Sequence, residues 1–134
     1  MPVRLLIVGL RSEVSDDPRL ALEPYTPNGT GERLWKMVND VTKVSKDRYF
    51  MGIDFINVEQ APSLEEVKEM AATRSTIVLG RSAWRALGFP RGAEFYSRHG
   101  SAHLVPHPSG RTRNYNSRRH RLRTGRLVAR LACL

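Results

Sequence analysis

Two stretches of this sequence put chemistry-bearing side chains where an apolar run stops. Ile56-Asn57-Val58 sets a carboxamide at the end of one run, and Val105-Pro106-His107-Pro108-Ser109-Gly110-Arg111 sets an imidazole between two prolines after another. A carboxamide carries one acceptor and two donors, the pattern needed to read the edge of a nucleobase; it can equally close a turn. An imidazole on a restrained backbone can donate to a carbonyl oxygen on which charge develops, or simply bond a neighbouring loop. Ser109 and Gly110 offer hydroxyl and backbone donors for a phosphate, with the charge of Arg111 and Arg113 beside them. Gly110 also suits a turn with positive φ.

Other candidates are spread along the chain. Glu13 follows the first apolar run closely and could act as an acid or base, as could Asp16 and Asp17, although that pair before Pro18 also reads as the start of a turn. Tyr25 could stack on a base or pin its loop to the core. Trp35 and Trp84 sit at core-like helical spacing. His99, His103 and His120 lack metal-ligand spacing, and Cys133 alone supplies neither an internal disulfide nor a multi-cysteine metal site. No metal or cofactor is expected. Gly29-Thr30-Gly31 lacks the Gly-Lys-Ser/Thr ending of a P-loop and reads as a helix start.

Charge points to the partner. The chain carries +9 overall, and the last acidic residue is Glu94. Beyond it stand Arg98, Arg111, Arg113, Arg118, Arg119, Arg121, Arg123, Arg126 and Arg130, while residues 1–94 carry a balance near zero. One-sided charge of this kind suits a polyanion such as nucleic acid, and arginine favours forked contacts to phosphate. Arg118 and Arg119 are candidates for such contacts. A solvated arginine-rich face is the alternative.

These residues need elements to position them. Of 134 residues, 40% are apolar and 26% charged, which suits a single globular domain over residues 1–134. No apolar run approaches the roughly 18 residues of a membrane span, and no signal-peptide cleavage pattern follows the first run. A soluble, monomeric, cytoplasmic protein of a bacterium or a phage-infected cell is expected, with no membrane partner. Strands are predicted over 3–9, 52–58, 76–80 and 102–105. Helices are predicted over 32–44, after Ser63, over 82–87, and from Asn114 or Ser117 onward, with Gly125 a weak point in the last. Ser63-Leu64-Glu65-Glu66 has the form of a capping box. A long loop fills 10–31, and such loops are more often functional than idle. Strands alternating with helices imply a three-layer αβα sandwich on a four-stranded parallel sheet, with ligands at the carboxyl ends of the strands.

Three segments together resemble the uracil-DNA glycosylase superfamily, in a short form of the phage type. They are the glycine-led first loop Gly9 to Glu13 with the helix start Gly29 to Leu34, Asn57 at the end of the second strand, and His107-Pro108-Ser109. The resemblance covers most of the chain and implies the same αβα architecture. It also implies a flipped base read by Asn57, His107 facing the base O2, and the serine loop clamping DNA, in DNA repair or modification. The departure lies in the first loop, where Leu10, Arg11 and Ser12 stand in place of the acid or amide that positions water. The cluster-binding cysteines are also absent, so no iron–sulfur centre is implied. An N-glycosidase and a non-catalytic nucleic-acid or nucleotide binding module on the same fold therefore both remain open. An enzyme acting on free nucleotides is a third option.

Overall fold

In Leu5-Leu6-Ile7-Val8 all four side chains are buried, and they alternate between two separate apolar cores. A strand with both faces covered requires this. The computed structural model describes residues 4–11, 22–97, 100–108 and 117–134. Glu13, Asp16, Asp17, Ser109, Gly110, Arg111 and Arg113 lie outside the described residues.

The strands are β1 (Leu6–Gly9), β2 (Asp54–Asn57), β3 (Ser75–Leu79), β4 (Phe95–Ser97) and β5 (Ser101–Val105). The helices are α1 (Thr30–Thr42), α2 (Lys46–Gly52), α3 (Leu64–Ala72), α4 (Arg81–Ala86) and α5 (Arg118–Leu131), with a 3-10 turn at Val58–Gln60. The sheet order is β2-β1-β3-β5-β4. Pairing is parallel except between β4 and β5. One core joins Leu5, Ile7, Phe55 and Ile77 to Leu34 and Val38 of α1, Tyr49 of α2 and Val128 of α5. The other joins Leu6, Val8, Ile56 and Val78 to Val67 of α3 and Trp84 of α4. The result is the expected α/β sandwich with helices on both faces. Each large side chain so buried contributes about 1.5–3 kcal/mol.

The chain leaves β1 toward β2 and leaves β3 toward β5. The order therefore reverses between β1 and β3, and the carboxyl ends of these strands frame the crevice that open α/β sheets use for ligands.

The expected four parallel strands are present, and β4 is a fifth, antiparallel edge strand. It is three residues long and exposed at Phe95 and Ser97, so it carries no apolar run to announce it. Gly52, expected to open β2, instead ends α2. That helix starts at Ser45, whose hydroxyl accepts from the Arg48 N–H at 3.2 Å. Ser63 caps α3 in the same way, accepting from the Glu66 N–H at 3.1 Å. Gly125 is not a weak point but a contact point. A Cβ there would lie 2.2 Å from the Met37 carbonyl oxygen, so only glycine lets α5 lie against the backbone of α1. Among the described residues, no helix is long and apolar enough to cross a membrane.

Candidate functional site

Asn57 ends β2 opposite Gly9, the last residue of β1. Its side chain is fully buried. The carboxamide Nδ2 donates to Gln60 Oε1 at 3.0 Å. The 3-10 turn makes this contact, because residues three apart eclipse one another in such a turn. The Oδ1 acceptor has no hydrogen-bond partner among the described residues. It lies over Gly9, where a Cβ would come within 2.2 Å of it and within 3.5 Å of Leu22 Cδ1. Glycine at position 9 is thus what admits the carboxamide, and Leu22 of the long loop packs near the same glycine. Leaving such an acceptor unpaired costs about 1–3 kcal/mol.

His107 follows β5 but lies over the end of β3. Gly80 has φ +87°, its N–H donates to the Val105 carbonyl at 2.9 Å, and a Cβ on it would meet the His107 Cβ at 3.2 Å. Burial, and then the charge of Arg33 in the first turn of α1, push the imidazole below its ordinary 6.5. His107 is therefore neutral at pH 7, with one N–H donor and one acceptor. Asn57 and the end of β3 are two strand spacings apart, about 10 Å. The end of β1 lies between them.

The surrounding contacts fix the rim. Leu10 accepts from the Glu59 N–H at 2.9 Å, and Arg11 faces Glu59 at 4.0 Å, so the first loop is tied to the 3-10 turn. At the start of α1, Glu32 accepts from the Asn28 N–H at 3.1 Å and pairs with Lys46 at 3.1 Å and Lys36 at 3.4 Å. These contacts hold its carboxyl at about 2. Glu32 is a clamp on the helix start, not a proton carrier near neutral pH. Gly31 lies where a Cβ would reach 2.3 Å from the Leu22 carbonyl oxygen, so the loop carrying Leu22 packs on the first turn of α1.

Asn57 and His107 thus come to one end of the sheet. Of the two roles open to Tyr25, the pinning contact is present. Its hydroxyl donates to the Asp47 carboxylate, its ring meets Phe50 edge-on at 5.8 Å, and Asp47 raises its pKa, chiefly through the hydrogen bond. Arg118 and Arg119 are exposed at the start of α5. Trp84 is core, and Trp35 is partly buried with its indole N–H donating to the Val44 carbonyl at 3.0 Å. His103 packs on Phe95 at 4.9 Å. No group of three or more His, Cys, Asp or Glu suited to a metal occurs among the described residues. A cavity of about 250 Å³ lies on the α3/α4 side, lined by Ala71, Leu87, Phe89, Tyr96 and Ala102 with Lys68. Its lining includes neither Asn57 nor His107.

Of the residues around the site, Arg33 escapes a reading of the sequence, while Gln60 and Gly80 are legible only as residues leaving strand ends. Arg33 acts on His107 across the fold, so nothing local marks it. Gln60 is signalled only by its spacing from Asn57 and the turn between them. Gly80 was visible as the end of a strand but not as the seat of His107. No protein-family model matches the chain, and neither the curated proteins nor the solved structures contain a significant match to it.

Proposed function

We propose that this protein binds nucleic acid and receives a nucleobase between Asn57 and His107, as a DNA glycosylase-like protein that hydrolyses the N-glycosidic bond. The observation that carries the reading is the buried Asn57 Oδ1 without a partner, set over a glycine. An imide or amide N–H of a base would satisfy it. A neutral His107 then donates to the base carbonyl oxygen as negative charge builds on the leaving ring. The sequence resemblance of Gly9 to Glu13, Asn57 and His107-Pro108-Ser109 to uracil-DNA glycosylases supports the same chemistry. Glu13, Asp16 and Asp17 are the candidates for steadying the sugar cation or positioning water, and Ser109, Gly110, Arg111 and Arg113 for gripping the backbone.

The test is base release. Labelled single- and double-stranded oligonucleotides bearing uracil, hypoxanthine or an oxidised pyrimidine are incubated with protein, and alkali then cuts at abasic sites. Cleavage is expected, with a loss of about 10²-fold or more in His107→Ala. Cleavage by that variant at the wild-type rate would contradict the mechanism. A second reading, base recognition without hydrolysis, is favoured by Arg11, which faces Glu59 at the position where an acid or amide would orient water. It predicts binding with no strand breaks for any of the bases.

A further inference from the structure

The arginines of α5 are not distributed evenly around the helix. Arg119, Arg123, Arg126 and Arg130 are all exposed and recur at i, i+4, i+7 and i+11, so they stand on one face. At 1.5 Å per residue the row is about 16 Å long. Arg118 is exposed beside its upper end, whereas the Arg121 Nε and the His120 Nδ1 are buried. The helix contains no acidic residue.

Several cations elsewhere in the fold are answered, while Lys43, Arg48, Arg81, Arg85 and Arg91 are unpaired among the described residues but scattered and form no row. Lys36 and Lys46 meet Glu32, Arg4 and Arg74 meet Asp54, and Lys68 meets Glu65. None of the four arginines in the row has an ion pair or hydrogen bond among the described residues. Like charges at these spacings repel and weaken a helix. Here the helix is held against α1 through Gly125 and Val128, so the row is rigid rather than a flexible tail. A row of unpaired, pre-positioned guanidinium groups suits a partner with a matching row of anions.

We infer that Arg119, Arg123, Arg126 and Arg130 form a track for the phosphate backbone of a nucleic acid, separate from the base-receiving cleft. A strand presents a phosphate about every 3.4 Å along its axis, so the row spans about five nucleotides, and each guanidinium can grip phosphate in a forked manner. An anionic membrane is the poorer fit. The apolar side of α5 is already spent on α1, and its exposed positions offer no apolar residues to insert. The track leads away from the cleft. α5 follows the segment after His107, and Arg130 lies near enough to His103, in the middle of β5, to act on it by charge. A strand whose base enters the cleft would thus be held along the flank of β5. The inference rests on the reading that the protein acts on nucleic acid, but not on a base entering the cleft.

The experiment is fluorescence anisotropy with a labelled duplex of ordinary bases over a range of salt. Wild type is compared with Arg123→Gln/Arg126→Gln, which alters only exposed positions, and with Arg85→Gln/Arg91→Gln, which removes two exposed arginines outside α5. The slope of log K against log[salt] should fall in magnitude by about 1.8 in the double variant, with weakening equal across sequences. Arg85→Gln/Arg91→Gln should leave the slope unchanged, and an equal fall there would overturn the assignment to α5. An unchanged affinity and slope in the double variant would overturn the track. So would equal competition by polyglutamate, or tighter binding to phosphatidylserine vesicles than to DNA. A failed base-release assay with the slope effect intact would remove the cleft reading and leave the track standing.

Discussion

Asp54 and Asn57 are the first and last residues of the same strand, and their surroundings are opposite. At the amino end, the Asp54 carboxylate meets Arg74 at 2.8 Å and Arg4 at 3.6 Å, and Arg74 also reaches the Arg4 carbonyl oxygen at 3.4 Å. Charge is answered by charge there, at a partly exposed site, although the Arg74 Nε is itself buried without a partner among the described residues. At the carboxyl end, Asn57 is wholly buried yet only its donor side is engaged. The nearby imidazole is held neutral by burial and by Arg33. Folding alone rewards the first arrangement, since unpaired buried polar groups are costly and rare. The second makes sense where a ligand supplies the missing donor. The comparison sets a charge cluster held by ion pairs against a neutral carboxamide whose acceptor is open at the ligand end of the sheet.

The largest expected effect comes from closing the open end. Gly9→Ala forces a Cβ against the Asn57 carboxamide, a short and fully buried side chain with little room to give. Overpacking of this kind costs about 1–3 kcal/mol, and base-dependent binding should be lost with it. Urea denaturation and oligonucleotide binding on the same samples check both; full binding in this variant would remove the carboxamide from the site. A smaller effect is expected at the amino end. Arg74→Ala should cost about 1 kcal/mol, the scale of one charge-assisted hydrogen bond at a partly exposed pair, and base binding should be untouched. A binding defect there would break the division between the two ends.

The smallest effect concerns pH. Burial and Arg33 keep the His107 pKa below 6.5 in the folded protein. Between that depressed value and 6.5, the unfolded chain binds a proton that the folded one refuses. Stability is therefore full above pH 6.5 and declines as pH falls through this window. His107→Gln should flatten part of the decline. His103, lowered chiefly by burial and further by Arg130, should account for another part. Denaturation midpoints measured across the window test this. An unchanged pH profile in His107→Gln would mean the imidazole is not buried as described.

What was legible in the sequence follows from how local each signal is. β1 and β3 are covered on both faces and stand out as apolar runs, and α3 is announced by Ser63. Asn57 and His107 were legible because each interrupts or follows an apolar run at a strand end. β4 was not, since an edge strand with exposed Phe95 and Ser97 resembles a loop. α2 was missed because Tyr49 is its one buried residue and the Ser45 cap its main mark. Gly125 reads as a helix-weakening residue until Met37 is known to lie against it. Arg33 could not be found because its effect on His107 depends on how α1 and the segment after β5 meet in space.

The most direct test of a base reaching Asn57 is its side-chain amide signal in a ¹⁵N spectrum, assigned by its loss in Asn57→Ala. Oligonucleotides bearing uracil, hypoxanthine or an oxidised pyrimidine are titrated in turn, with the arginine Nε–H signals of α5 reporting backbone binding. The account predicts that the Asn57 pair shifts with at least one of these bases and stays still with the ordinary-base control. If the α5 signals saturate while the Asn57 pair is unmoved through the whole series, the carboxamide is not a base-reading group and the central claim is wrong.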